Sequence, residues 1–357
     1  MWRLLLKPDL HFFEEYVRGA IVVETDLTDF LRDMHATRQG HRQRRARKQL
    51  PVSRRDRSES QQNASHHYDV GNEFYSLWLD EQLLYTCAYF ETEGLSLEAA
   101  QVAKMDHVCR KLQLKPGEEV IEAGCGWGAL ALHMARHYGT RVRAYNVSRE
   151  QVRYARERAR QEGLDDRVEF VQEDWRDISG YCDAVVSVGM LEHVGPKNYV
   201  QLGRVLQNCL RPQGRGLIHS IGQSDPSPLN PWIKSRIFPG AQPPTLKQMM
   251  DIFEPVGLTV LDVENLRPHY AETLRHWWER FELAEDQILE MFDEEFVQTW
   301  RMYLAASQTA FEQGELELYQ VVFAPTARET FPRTRAEVYR HLIETSPSSP
   351  PDGMPFA

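Results

Sequence analysis

The residues with the clearest chemical meaning are Val120-Ile-Glu-Ala-Gly-Cys-Gly-Trp-Gly128. A short apolar run, Val120 and Ile121, ends in the carboxylate Glu122. Gly124, Gly126 and Gly128 follow at alternate positions, and Ala129 to Tyr138 has helical character. Strand, glycine turn and helix form the first half of a nucleotide-binding βαβ unit. Glycines let the chain turn tightly and let a ligand approach with no Cβ in the way. The plain alternative is a turn that binds nothing, and the flanking strand and helix argue against it. Gly124-x-Gly126-x-x-Ala129 also fits a loose dinucleotide fingerprint, which wants an acid about 20 residues further on to hold a ribose. The second strand, Val142 to Tyr145, ends instead in Asn146-Val-Ser148. Glu122 stands just before the glycines, where a carboxylate can reach the amino group of a bound amino acid.

The elements that must position this loop follow an alternating pattern. Strands are expected at 119–123, 141–145, 168–171, 183–188, 216–221, 257–263 and 316–323. Helices are expected between them, among them Ser148–Glu162 and Tyr199–Leu210. Alternation of this kind predicts an α/β fold with a doubly wound, mostly parallel seven-stranded sheet. Helices over 271–313 before the final strand predict an antiparallel strand at the edge. Upstream, Ser96 to Leu114 reads as an amphipathic helix, and Leu10–Val17 and Leu27–Met34 have apolar residues at helical spacing. Residues 222–256 break the pattern with seven prolines and with Trp232, Ile237 and Phe238. This insertion is expected to be a lid over an apolar channel, or else a helix pair covering the sheet. The organisation predicted is a small N-terminal segment and basic linker over 1–58, one catalytic domain over 59–345, and a disordered tail over 346–357.

Composition narrows the function class. The 357 residues are 42% hydrophobic and 26% charged, as in ordinary globular proteins. No apolar run approaches the roughly 18–20 residues that span a bilayer. Met1-Trp-Arg-Leu-Leu-Leu-Lys7 has too short an apolar core for a secretory signal. Five scattered cysteines with no C-x-x-C pair point to reduced thiols in cytoplasm and away from a zinc site. His66, His67 and Asp69 lack further ligands nearby in sequence, so no metal is expected there. The whole chain carries 42 Lys and Arg against 52 Asp and Glu, whereas residues 1–57 carry 13 against 8. A basic arm on an acidic body suits an anionic membrane surface at roughly 1 kcal/mol per basic residue. The acidic body does not suit a nucleic acid.

Further motifs appear in a fixed order: His67-Tyr-Asp-Val-Gly-Asn-Glu-Phe74, Tyr85-Thr-Cys-Ala-Tyr-Phe90, Val147-Ser-Arg-Glu-Gln151, Gly189-Met-Leu-Glu-His-Val-Gly195, His219-Ser-Ile-Gly222, Ile237-Phe-Pro-Gly240 and His269-Tyr-Ala-Glu-Thr-Leu274. Together with the glycine loop they resemble the cyclopropane-fatty-acyl-phospholipid synthases, mycolic acid cyclopropane synthases included, over about 60–325. The resemblance implies a class I, Rossmann-like methyltransferase fold that takes S-adenosylmethionine. It implies that Tyr85 and Thr86 hold the cofactor from a covering segment, with Glu122, Gly124 and Gly126 from the loop. Asn146 and Gln151 follow the second strand, Gln151 in place of the missing ribose acid, and Asp174 and Trp175 flank the adenine. It also implies a bicarbonate ion held by Glu192, His219 and Tyr270 and by the backbone of Cys87 and Ile221. Glu122-Ala123 departs from the family's usual Asp followed by a branched residue, and Glu adds one methylene of reach.

The implied reaction moves a methylene onto a cis double bond of an unsaturated phospholipid acyl chain. An alkene can attack a sulfonium methyl unaided, so the difficulty lies in the carbocation that results. That cation needs shielding by an apolar, aromatic channel, for which Tyr89, Phe90, Phe238, Tyr270 and Trp277 are candidates, and a base such as bicarbonate to remove a proton. The alternative is a C-methyltransferase that yields a methyl-branched or methylated unsaturated chain without ring closure. The expected setting is cytoplasmic, peripheral to the inner face of the membrane, and a homodimer is left open.

Overall fold

The computed structural model describes residues 8–42, 70–329, 333–336 and 338–339. Helices α1 (Pro8–Val17), α2 (Leu27–Arg42), α3 (Asn72–Ser76) and α4 (Leu97–Lys111) precede the sheet. Strands β1 (Glu119–Ala123), β2 (Arg141–Tyr145), β3 (Val168–Val171), β4 (Cys182–Val188), β5 (Leu210–Gly222), β6 (Leu258–Asn265) and β7 (Glu317–Pro325) form one sheet in the order β3-β2-β1-β4-β5-β7-β6. The first five strands pair in parallel, and β7 runs antiparallel between β5 and β6. Helices α5 (Ala129–Tyr138), α6 (Arg149–Gln161) and α7 (Tyr199–Cys209) connect the parallel strands. Helices α8 (Arg267–Leu283), α9 (Glu285–Met291) and α10 (Glu294–Glu312) lie between β6 and β7.

Each sheet face is covered because parallel strands expose apolar side chains on both sides. On one face Met105, Val108, Leu130, Met134 and Val152 from α4, α5 and α6 pack with Val120, Val142 and Val186. On the other, Leu202 and Leu206 of α7 pack with Ile121, Val185 and Ile218. A third, aromatic-rich cluster joins the N-terminal helices to α8 and α10 through Phe74, Trp78, Trp277 and Trp300. This helical body stands beside the sheet and faces its strand ends.

The glycine loop owes its shape to steric need. Gly124 has φ +87°, and a Cβ there would lie 2.9 Å from Met190 Cβ. Gly128 has φ +88°, and a Cβ would lie 2.6 Å from Phe170 Cζ, so only glycine lets α5 start against β3.

The expected strands and helices occur, with two differences. Strand β5 starts at Leu210 rather than 216, because its register against β4 jumps between Cys182 and Ala184. The irregular pairing takes Arg211-Pro-Gln-Gly214 into the strand. Helix α2 runs to Arg42, into the stretch expected to be linker. The basic run beyond it, the histidine pair and the C-terminal tail lie outside the described residues.

The insertion divides between the two expectations. Its first half forms the short helix Pro231–Arg236, whose Trp232 meets Phe13 of α1 edge-on at 5.3 Å. Its second half packs Met249, Ile252 and Phe253 onto the sheet beside α7.

Candidate active site

The carboxyl ends of parallel strands converge on one cavity of about 250 Å³. This is where such sheets bind ligands. Glu122 is buried at the end of β1, and its Oε2 has no hydrogen-bond partner. Burial pushes its carboxyl up to about 8, against the pull of Lys104. Gly124 and Gly126 line the cavity beside it. Asn146 Nδ2 donates to Gly126 O at 3.1 Å and to Gln151 Oε1 at 2.9 Å, which fixes the edge of the loop to the start of α6. Asp174 Oδ1 accepts from Arg176 N at 3.0 Å and from Arg176 Nη1 at 2.8 Å. The Arg176 guanidinium stands 4.4 Å from the centre of the buried Trp175 ring, so that ring already carries a cation. Trp127 Nε1 donates to Asn72 Oδ1 at 2.7 Å, tying the loop to the described end of the expected covering segment.

A second acid faces the same cavity. Glu192 is buried in the turn after β4, and its Oε1 accepts from Ile221 N at 2.6 Å. Its Oε2 is buried without a partner. Burial pushes its carboxyl up to about 7, so at neutral pH it is poised between acid and carboxylate. Ile221 and Tyr270 line the cavity with it.

Two expected residues do not reach the cavity wall. His219 is buried on β5, its Nδ1 3.0 Å from Gln320 Nε2 on the paired strand β7. With the amide donating, the ring proton sits on Nε2, which has no partner. Burial, with Lys104 nearby, holds its pKa well below the ordinary histidine value, so the ring is neutral. The Cys87 thiol is also buried, against Ala88 O and Thr273 Oγ1, and burial pushes its pKa up. It is not a reactive thiolate.

The shielding aromatics are partly different from those expected. Phe238 and Tyr270 line the cavity, joined by Tyr303 and Phe311 of α10. Tyr89 instead stacks on His107 at 4.2 Å, and Phe90 on His276 at 5.4 Å. Trp277 packs against Trp78 and Tyr85 inside the helical body. Leu229, Ile233 and Leu274 complete an apolar wall. Tyr85 lines the cavity, and its hydroxyl donates to the Tyr303 hydroxyl at 2.7 Å.

Lys104, on α4, is the residue that sequence reasoning missed. It is 1% exposed and lines the cavity beside Thr86 and Glu122. Its position was legible: Leu97, Ala100, Gln101, Lys104 and Val108 share the buried face of α4 at helical spacing.

A seven-stranded sheet of this order with a strand-end cavity defines the class I, S-adenosylmethionine-dependent methyltransferases. The chain belongs to the mycolic acid cyclopropane synthetase family, which matches residues 55–321. It is 39% identical over 303 residues to the "Probable fatty acid methyltransferase" of Pseudomonas putida, covering 81% of this chain and 77% of that protein. It is 42% identical over 260 residues to the cyclopropane-fatty-acyl-phospholipid synthase of Escherichia coli K12, covering 72% of this chain and 66% of the relative. Among solved structures, the cyclopropane synthase MmaA2 of Mycobacterium tuberculosis superposes with TM-score 0.69 at 29% identity, over 74% of this chain and 98% of its own. The mycolic acid cyclopropane synthase CmaA1, solved with SAH and CTAB, gives TM-score 0.71 at 28% identity, over 74% and 97%.

Proposed function

We propose that this chain transfers a methylene from S-adenosylmethionine to a cis double bond of an unsaturated phospholipid acyl chain and closes a cyclopropane ring. The observation that carries this reading is a single cavity joining a polar strand-end floor to an apolar, aromatic wall. The floor fits the cofactor. Glu122 offers a buried, unpartnered oxygen for an amino group, and the glycines leave the loop backbone bare. Asn146 and Gln151 would hold the ribose, Asp174 and Trp175 the adenine, and Tyr85 and Thr86 the covering side. When bound, S-adenosylmethionine supplies an electrophilic methyl.

The wall does the remaining work. Leu229, Ile233, Leu274 and Phe311 exclude water, which would otherwise capture a cationic acyl carbon. The ring faces of Phe238 and Tyr270 favour such a cation by roughly 0.5–2 kcal/mol per contact. Bicarbonate would be held by Glu192, Tyr270 and the backbone of Ile221, which line the cavity, and would supply a proton acceptor, while His219 and Cys87 stand behind the wall. The unpartnered Glu192 Oε2 suits it. Burial pushes the Glu192 carboxyl up to about 7, and in its protonated form it can donate to an anion that a carboxylate would repel.

The same geometry serves methylation without ring closure, giving a methyl-branched or methylated unsaturated chain, and the fatty acid methyltransferase relative favours that second outcome. Incubation with labelled S-adenosylmethionine and unsaturated phospholipid, followed by mass spectrometry and NMR of the acyl chains, tests both. A cyclopropane signal supports the first and a methyl or methylene branch the second. No carbon gained by the lipid overturns both. No helix among the described residues is long and apolar enough to cross a membrane. The setting proposed from the basic arm is peripheral contact with an anionic bilayer on its cytoplasmic face. Vesicle binding that is insensitive to salt and unchanged when Arg44, Arg45 and Arg47 are changed to Glu would reduce the arm to a tether.

A further inference from the structure

A lysine is rarely buried without an acid beside it. Lys104 is buried, and its Nζ donates to Thr86 Oγ1 at 2.7 Å. Among the described residues no carboxylate comes within the 4.0 Å that defines an ion pair with it. The nearby acid Asp80 is already engaged, accepting from Gln82 N at 2.9 Å and Leu84 N at 2.8 Å. Of the described residues that line the cavity, Lys104 is the sole lysine or arginine. The cavity thus holds an ammonium with no carboxylate in ion-pair contact, and on the same walls a carboxyl, Glu122, whose Oε2 has no donor.

The small residues around it mark the same spot. A Cβ on Gly189 would lie 2.9 Å from Thr86 Cγ2, and one on Gly124 would lie 2.9 Å from Met190 Cβ. Gly189 thus lies close to Thr86 and Gly124 close to Met190, and all four line the cavity. An acid and an amine on its walls make a matched pair for an α-amino acid, whose ammonium and carboxylate leave the same carbon.

We infer that Lys104, with Thr86, binds the α-carboxylate of the cofactor while Glu122 takes its amino group, so that the site recognises the amino-acid end of the donor as a zwitterion. This rests on the cavity being the S-adenosylmethionine site. The covering segment is held for the task by α4: Gln101 Nε2 donates to Leu84 O at 3.2 Å and to Thr86 O at 2.9 Å. The rival role is a plain brace, in which Lys104 only fastens Thr86 to α4.

Calorimetric binding of S-adenosylmethionine and of its decarboxylated form separates the two. The wild type binds the carboxylate-bearing donor at least about tenfold more tightly. Lys104→Met weakens S-adenosylmethionine by about 10- to 100-fold and leaves the decarboxylated form within about threefold, so the preference collapses. Lys104→Gln, which keeps a donor for Thr86 but no charge, loses the preference as well. Equal losses for both ligands in a folded variant make Lys104 a brace and overturn the inference. If neither variant folds, the wild-type preference decides: about tenfold or more supports it, and less overturns it. A wild type that binds neither ligand overturns the cofactor site itself, whereas one that binds both with the preference intact in Lys104→Met overturns only the role of Lys104.

Discussion

The floor and the wall of the cavity are built in opposite ways. The floor comes from short stretches at the ends of β1, β2, β3 and β4: Glu122 to Gly126, Asn146 to Gln151, Asp174 with Trp175, and Glu192. Each is fixed by a strand, a cap or a tight turn. The wall comes from residues 229–243, from Tyr270 and Leu274 on α8, and from Tyr303, Ser307 and Phe311 on α10. Those pieces are far apart in sequence and are held chiefly by packing, with a few hydrogen bonds such as that of Tyr85 to Tyr303. Polar recognition of a constant ligand needs fixed dipoles, and strand ends provide them. Contact with an acyl chain needs only shape and dryness, which helices can vary without disturbing the sheet.

The largest effect should appear where floor and wall meet. Glu192→Gln is expected to lower turnover by about 10²–10⁴-fold and to leave S-adenosylmethionine affinity within about threefold. Single-turnover lipid assays and calorimetry give the two numbers. An equal loss of donor affinity would make Glu192 a donor-binding residue rather than one that serves the acyl chemistry and weaken the division.

Within the floor, Glu122→Gln should weaken the donor by about 10- to 100-fold, the loss of one charged hydrogen bond, with the ratio of lipid products unchanged. A shift in product ratio would show that the amino-acid end of the site reaches into the acyl chemistry.

The two acids also leave a signature in stability. Glu122 and Glu192 have folded pKa values raised by burial to about 8 and about 7, above the ordinary 4.5. The folded state therefore binds more protons than the unfolded state over that interval, and stability falls as pH rises through it. The melting temperature of the free protein should drop between about pH 5 and 8, by about 2–4 °C per kcal/mol for a large domain. Glu122→Gln and Glu192→Gln should each flatten the slope. S-adenosylmethionine should flatten the Glu122 part, because its ammonium favours the carboxylate. A slope unchanged in both variants would remove the acids as its source.

The same contrast explains what could be seen in the sequence. The glycine loop of the floor was legible because Glu122 and the glycines are contiguous and their spacing encodes strand, turn and helix, whereas Tyr85, Thr86, Gln151, Asp174 and Trp175 came from the resemblance. All nine expected cofactor residues line the cavity. The wall was not legible. Tyr89, Phe90 and Trp277 were expected in it because they are aromatic and near motifs, yet they fill the helical body, while Tyr303 and Phe311 read as ordinary core positions of a long helix. His219 shows the limit from another side: its strand was placed correctly, but a pairing register with β7 decides that its ring meets Gln320. Lys104 was missed because a lysine on an amphipathic helix is usually assigned to the solvent face. Only the buried phase of α4 corrects that.

The smallest effect tests the border itself. Tyr85 was expected to serve the floor, but its hydroxyl donates to Tyr303 of the wall at 2.7 Å, and its ring packs on Trp78 and Trp277. Burial, with Tyr303 and Tyr75 nearby, raises its pKa well above the ordinary tyrosine value, so the hydroxyl keeps its proton and can donate throughout the working range. Tyr303→Phe removes the acceptor and should cost about 1 kcal/mol of stability. Tyr85→Phe should cost about the same, and the double variant less than the sum, since one shared bond is lost in all three. Donor affinity should hold within about twofold in Tyr303→Phe. If Tyr85→Phe alone weakens S-adenosylmethionine, its hydroxyl serves both regions, and floor and wall are coupled through that one bond. If neither single variant changes donor affinity, Tyr85 contributes its ring to the wall and the border runs between Tyr85 and Thr86, two adjacent residues facing different chemistry.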